Sequence, residues 1–322
     1  MDTWTSKPAA ARARYHERMS SLFNAEGRQP HRRWRVAFFG GSFDPPHLGH
    51  LGVARAAHAA LALDTVLFAP VGAQPLKPRG SAASFQDRLA MTQLAIAAEP
   101  AFALSLADAP KSSGAPNYTL ETLTALRAEL PPASTLFCLM GADAFAGFSR
   151  WHRAAEIPFL APLIVASRPS ESQWLQHSLA SALPDGLTIE AMPARDDLSA
   201  VSLASANGTE GGGVFTAYGN THSESQKASG HDFSRAAEAT IGSGALAPEE
   251  CFSEKEIALR RYILRNQSGQ QAPFYLLPGL HIEISASEIR DQIRNQAPAP
   301  IPQPALLPAP VLEYIRAHRL YR

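Results

Sequence analysis

Apolar runs and alanine-rich or amphipathic stretches alternate along the middle of the chain. Trp34 to Phe39 is a mostly apolar run that leads into Gly40-Gly41 and predicts a first strand. Leu48 to Leu61, rich in alanine and without internal proline, predicts a helix. Thr65 to Ala69 predicts a second strand, followed by a loop from Pro70 to Ala83. Ser84-Phe-Gln-Asp87 has the form of a capping box and opens a helix expected to reach Ala98. Phe102 to Leu106 predicts a third strand, and Tyr118 to Leu130 a helix ended by Pro131-Pro132. Thr135 to Met140 and Leu163 to Ser167 read as buried strands. This alternation is the signature of an α/β chain: a Rossmann-like, doubly wound parallel sheet with helices on both faces. Ligands of such sheets bind beyond the carboxyl ends of the strands. Gly40-Gly41, the Gln74 to Lys77 loop and Gly141-Ala-Asp143 each follow a strand directly, so all three are expected along one rim.

The pattern changes on either side of this block. Residues 1–31 are polar, with a short helix expected around Ala9 to Phe23, and read as a flexible extension before a domain spanning 32–322. About 194–271 is rich in Ser, Ala and Gly and reads as a low-complexity insertion, with one helix expected from Glu254 to Arg265. Periodicity returns at Phe274 to Leu277 and Leu280 to Ile284. Ser285-Ala-Ser-Glu288 is a second capping box, and a proline-rich linker (Ala297 to Pro310) leads to an amphipathic helix with Val311, Tyr314 and Ile315 on one side. The domain is thus expected to finish in a small helical part.

Composition removes several function classes. Lys+Arg 29 balances Asp+Glu 29, so no broad field draws the chain to nucleic acid or an anionic membrane. Nothing approaches 18 uninterrupted apolar residues, and the first residues lack the apolar stretch of a secretory signal. Cys138 and Cys251 fit neither metal spacing nor a disulfide framework, which favours a reducing, cytoplasmic setting.

The densest chemistry lies at Gly40-Gly-Ser-Phe-Asp-Pro-Pro-His-Leu-Gly-His50. A strand, a glycine turn and a helix start in that order make a phosphate site, because glycine permits close backbone approach and the first helical turn offers free N–H groups. Ser42 is a candidate phosphate donor, and Gly49 lets a nucleotide pack close. His47 and His50, three residues apart, share one face of that turn. The capped start at Ser285 and Ser287, with Arg290 just beyond it, is a second candidate anion site; taken alone it reads equally as an ordinary cap. Asp143 suits ribose hydroxyls, and Trp151 offers a flat face for a heteroaromatic ring or simply fills the core. Asn117-Tyr118-Thr119 reads as a helix start with Thr119 as the cap, leaving N–H groups for a carboxylate. Lys77 is a candidate phosphate partner, whereas Arg88 is as easily structural. Trp174, His58, His177, His281 and both cysteines receive no role.

Together these segments resemble the H-x-G-H nucleotidyltransferases, and more closely the bacterial nicotinate-nucleotide adenylyltransferases. The similarity is carried by Gly40 to His50, Arg88-x-x-Met91, Asn117-Tyr-Thr119, Gly141-x-Asp143 with Trp151, Ile284-Ser-Ala-Ser-x-Ile-Arg290, and the ending from Val311 to Arg322. It implies transfer of an adenylyl group from ATP to nicotinate mononucleotide, giving deamido-NAD and pyrophosphate in NAD biosynthesis, with no covalent enzyme intermediate. By resemblance His47, His50 and Arg290 are the catalytic residues. Gly40, Gly41, Ser42, Phe43, Gly49, Gly141, Asp143, Ser285 and Ser287 would line ATP; Lys77, Tyr118, Thr119, Trp151 and His152 would meet the acceptor. No residue is assigned as a metal ligand, since Mg²⁺ would arrive with ATP. Neither nucleic acid nor membrane is implied as a partner, and the oligomeric state is not legible. Departures from the pattern are Leu76 where a histidine is common, Ser287 in place of threonine, and the two unmatched segments. The rival readings are a nicotinamide mononucleotide or phosphopantetheine adenylyltransferase, an aminoacyl-tRNA synthetase-type domain, and a non-catalytic nucleotide-binding regulator.

Overall fold

Five strands of the expected alternation pair side by side: β1 (Arg35–Gly41), β2 (Thr65–Pro70), β3 (Phe102–Leu104), β4 (Thr135–Gly141) and β5 (Leu163–Ala166). This computed structural model describes residues 33–77, 80–167, 179–192, 259–277, 285–295 and 306–322. The described residues all belong to one of the chain's two contact units. Three further strands, β6 (Thr188–Ala191), β7 (Arg260–Arg265) and β8 (Gln271–Leu277), complete a sheet of order β3-β2-β1-β4-β5-β8-β7-β6. Pairing is parallel from β3 to β8, then antiparallel from β8 to β7 and from β7 to β6.

Strand alternation divides the core into two layers. Val36, Phe38, Leu136, Cys138 and Val165 face one layer, where α3 (Thr119–Glu129) packs through Leu120, Leu123 and Leu126. Ala37, Phe39, Phe137, Leu139 and Ile164 face the other. That layer holds α1 (Leu48–Ala60), α2 (Phe85–Ala95) and α7 (Ala309–Ala317). Both faces are covered, so the central strands read as continuous apolar runs. Two shorter helices, α4 (Ala142–Ala146) and α5 (Ile157–Leu160), lie between β4 and β5, and α6 spans Ala286–Asn295.

Several expectations need correction. Arg260–Arg265, within the helix expected from Glu254 to Arg265, is strand β7 and belongs to the sheet. Its Tyr262, Ile263 and Leu264 sit opposite Phe274, Pro273 and Ala272 of β8, and cross-strand packing overrides a spacing that suits either structure. β6 was not expected: its side chains are mostly exposed and offer little apolar signal. α2 stops at Ala95 and β3 at Leu104, each short of its expected end. The extension 1–31 with its helix, most of the 194–271 region, and the strand from Leu280 to Ile284 lie outside the described residues, as do Trp174, His177, Cys251 and His281.

Candidate active site

The carboxyl ends of β1, β2, β4 and β5 lie level. Gly41 pairs with Pro70, and Gly141 with Ala166. Beyond them opens a cleft of about 1290 Å³. It is lined by every residue to which the resemblance gives a role: Gly40 to Phe43, His47, Gly49, His50, Lys77, Tyr118, Thr119, Gly141, Asp143, Trp151, His152, Ser285, Ser287 and Arg290. A Cβ added at Gly141 would meet nothing within 4 Å, so the strand end presents open space there.

The loop after β1 is held under tension by its packing. Phe43 has φ 47, in the left-handed region that a bulky side chain avoids. Its ring is clamped 5.5 Å from Phe39, 5.5 Å from Phe68 and 5.0 Å from His50, which offsets the backbone cost. Asp44 is 4% exposed, and both of its carboxylate oxygens accept hydrogen bonds. They accept from the N–H groups of Ala82 (2.6 Å) and Ala83 (3.1 Å) and from the Tyr321 hydroxyl (2.8 Å).

His47 is the N-cap of α1, and its backbone N–H donates to Nδ1 of His50 at 3.1 Å. The rings lie 3.7 Å apart between centroids. Burial, and then the neighbouring His47, hold the His50 imidazole well below its usual range. The ring is therefore neutral at physiological pH. With Nδ1 accepting, its proton sits on Nε2 as a hydrogen-bond donor.

The same shift gives a test. Below the ordinary imidazole value of about 6.5, the unfolded chain takes up a proton at position 50 that the folded chain refuses. Stability should therefore fall as pH drops from there toward the lower folded value, then level off. Urea unfolding at neutral pH and in mild acid should show a smaller loss for His50→Gln than for the parent. Equal losses would mean that His50 is not held neutral.

Arg290 completes the convergence. Its Nη1 donates to the backbone oxygen of Asp44 at 2.7 Å and its Nη2 to Ser287 Oγ at 3.1 Å. Helix α6 and the β1–α1 loop, 246 residues apart in sequence, thus meet at one point. Lys77 Nζ lies 3.0 Å from Ser42 Oγ. Burial, and then the nearby Arg290 cation, push the Lys77 ammonium down. Two cations held close in a half-buried cleft favour an anion between them.

Some assignments change in detail. The Ser42 hydroxyl donates to Gln74 Oε1 (3.2 Å) and accepts from Lys77, so its proton is already in use. Tyr118, not Thr119, is the N-cap of α3: its backbone is extended, no side chain caps the helix, and Thr119 is the first helical residue. Asn117 is a latch, accepting from Ala73 N–H and donating to Ala109 O, both at 3.0 Å. Arg88 is 2% exposed and bonds backbone oxygens, not ligand space: Nη1 donates to Ser42 O (2.7 Å) and Nη2 to Val71 O (2.8 Å). His152 packs at a tilt against Tyr118 with ring centroids 4.5 Å apart, and Trp151 leans on Phe148 at 5.5 Å, half-buried at the cleft wall.

Among the lining residues that the sequence did not mark are Asp108, Arg294 and Ser167. Asp108, buried at the cleft wall, accepts from Thr122 Oγ1 at 2.7 Å, and burial raises its carboxyl to about 6. Arg294 follows Arg290 by one turn of α6, a spacing that was legible. Ser167, directly after β5, is buried and its hydroxyl finds no partner among the described residues.

A family model described as Cytidylyltransferase-like matches residues 38–206, more than half of the chain. A protein of Xylella fastidiosa (strain M12) named "Probable nicotinate-nucleotide adenylyltransferase" is 42% identical over 134 residues, covering 41% of this chain and 60% of its own length. One of the same name from Herpetosiphon aurantiacus is 37% identical over 174 residues, covering 53% and 85%. The chain spans about three fifths of the length of the first such relatives. Among solved structures, a Plasmodium falciparum nicotinic acid mononucleotide adenylyltransferase complexed with APC superposes with a TM-score of 0.50 over 90% of this chain and 98% of its own. Its identity of 13% makes this a likeness of fold. A family model over more than half of the chain and a relative matched over 85% of its own length have one reading: the chain belongs to the cytidylyltransferase-like nucleotidyltransferases and, within them, to the nicotinate-nucleotide adenylyltransferase family.

Proposed function

We propose that the cleft joins ATP to nicotinate mononucleotide, releasing pyrophosphate and forming deamido-NAD. The observation that carries this reading is the meeting of Arg290 with the His47–His50 turn through Asp44 O. It brings two nitrogen-rich anion sites to one cleft.

In this reading the acceptor's phosphate oxygen attacks the ATP α-phosphorus in line. The P–O bond to the β-phosphate breaks, and pyrophosphate leaves. No side chain acts as nucleophile, so the protein positions the reactants and stabilises charge. His50 Nε2–H donates to the α-phosphoryl oxygens as negative charge grows there. Arg290, Ser287 and Lys77 hold the departing phosphates. Gly141 and Asp143 meet the adenosine, Trp151 faces the pyridine, and the N–H groups opening α3 meet the acceptor's carboxylate. ATP would bring Mg²⁺ on its own phosphates. Among the described residues no group of three or more His, Cys, Asp or Glu is placed to hold a metal ion, and the Asp44 carboxylate already accepts three hydrogen bonds.

No helix among the described residues is long and apolar enough to cross a membrane. The test is a panel of acceptors with ATP, read as pyrophosphate. Nicotinate mononucleotide should turn over at least about tenfold more efficiently than the nicotinamide form, a scale set by the carboxylate's charge-assisted contacts with N–H groups. Phosphopantetheine should be inert. Turnover of phosphopantetheine alone would overturn the assignment.

A further inference from the structure

Asp44 joins three parts of the molecule. Its backbone oxygen takes Arg290, its carboxylate takes the Ala82 and Ala83 N–H groups of the segment lining the cleft, and Oδ1 also takes the Tyr321 hydroxyl. Tyr321 lies 277 residues away, in the turn that follows α7. It is 9% exposed and does not line the cleft. Its φ is 65, and that of Arg319 is 52, so the turn holds two side-chain-bearing residues in the left-handed region. Backbone strain of this kind persists only where surrounding contacts fix it, and it is common beside functional sites. Burial and the Asp44 carboxylate push the phenol up, so it remains a donor throughout the working pH range.

From this we infer that Tyr321 is a positioning residue: through Asp44 it sets the register between the phosphate loop and Arg290 on which transfer depends. The inference rests on the adenylyl-transfer reading above. A carboxylate that loses one of three donors can rotate. Rotation shifts both the 82–83 segment and the Asp44 carbonyl that orients Arg290, and displacements of this size are costly for in-line transfer.

A purely structural staple predicts something different, and the helix before this turn supplies the control. Tyr314 of α7 also donates to a carboxylate, Asp87 Oδ1 at 3.0 Å, but neither residue lines the cleft. Tyr321→Phe and Tyr314→Phe each remove one phenolic donor and should lower the melting temperature to a similar, small extent. Tyr321→Phe should lower kcat for pyrophosphate release about tenfold, with the KM for nicotinate mononucleotide nearly unchanged, whereas Tyr314→Phe should leave kcat alone. Combined with Asp44→Asn, the Tyr321 effect should be smaller than the product of the two single effects. Unaltered kcat in Tyr321→Phe, an equal fall in Tyr314→Phe, or multiplicative effects in the double variant would each overturn the proposal. If the parent released no pyrophosphate, the adenylyl-transfer reading would fail, and ATP titration would then decide about Tyr321. Weaker ATP binding by Tyr321→Phe, but not by Tyr314→Phe, supports the positioning role; equal affinities reject it.

Discussion

His50→Ala is expected to lower kcat for pyrophosphate release by about 10²–10³-fold while the protein stays folded. The reasoning begins with the tautomer. The His47 N–H occupies Nδ1, and the ring is held neutral by burial and by its neighbour, so Nε2–H is the one donor left to the ring. A donor aimed at oxygens whose charge grows in the transition state acts mainly on kcat, and KM for ATP should change much less. The substitution also leaves the N-cap N–H of α1 without its acceptor, at a cost of about 1 kcal/mol. Circular dichroism and thermal melting will separate that loss from the loss of turnover. Activity within a few-fold of the parent, in folded protein, would remove His50 from the chemistry.

How much of this was visible in the sequence depended on whether a residue's partners are local. Strands β1, β2, β4 and β5 were legible because they are buried on both faces and read as apolar runs. The rim followed from glycines placed directly after strands. The H-x-x-H spacing announced itself because both imidazoles lie on one helical turn. The misses share one cause. β7 carries Arg260, Arg261 and Arg265 among its apolar residues, and half of its side chains face outward, so only its pairing with β8 identifies it as a strand. In the sequence Asp44 opens an Asp-Pro-Pro run and looks like a residue that only shapes a turn. Its partners, Ala82, Ala83 and Tyr321, come from segments 38, 39 and 277 residues away, and no local spacing encodes them. Asp108 lacked any signal, because its burial is created by the packing of the 105–118 loop against α3 through Thr122.

Arg88 shows why residue type alone could not separate site from scaffold, and it supports the second large effect. Inside a helix and near the rim, it reads equally as a phosphate partner or as a structural residue. The structure turns it inward, where its guanidinium bridges Ser42 O and Val71 O, the backbone immediately after β1 and after β2. It therefore ties two adjacent strand-end loops together beneath the cleft. Arg88→Met keeps most of the aliphatic bulk but leaves two buried carbonyls without donors. Hydrogen bonds to a charged group are worth about 1.5–3 kcal/mol each. Part of the loss is recovered because a buried charge is removed as well. A net destabilisation of about 3 kcal/mol is expected, or a melting temperature lower by about 6–12 °C for a folded unit of this size. Arg88→Lys should recover little, since a single ammonium cannot span both carbonyls as the planar fork does. Ligand behaviour provides the contrast with Arg290. At a temperature where Arg88→Met is still folded, its affinity for ATP should stay within a few-fold of the parent, whereas a phosphate-binding arginine would show the reverse: unchanged melting and a large loss of affinity. If Arg88→Met melts with the parent but no longer binds ATP, the guanidinium belongs to the ligand and its backbone bonds are incidental.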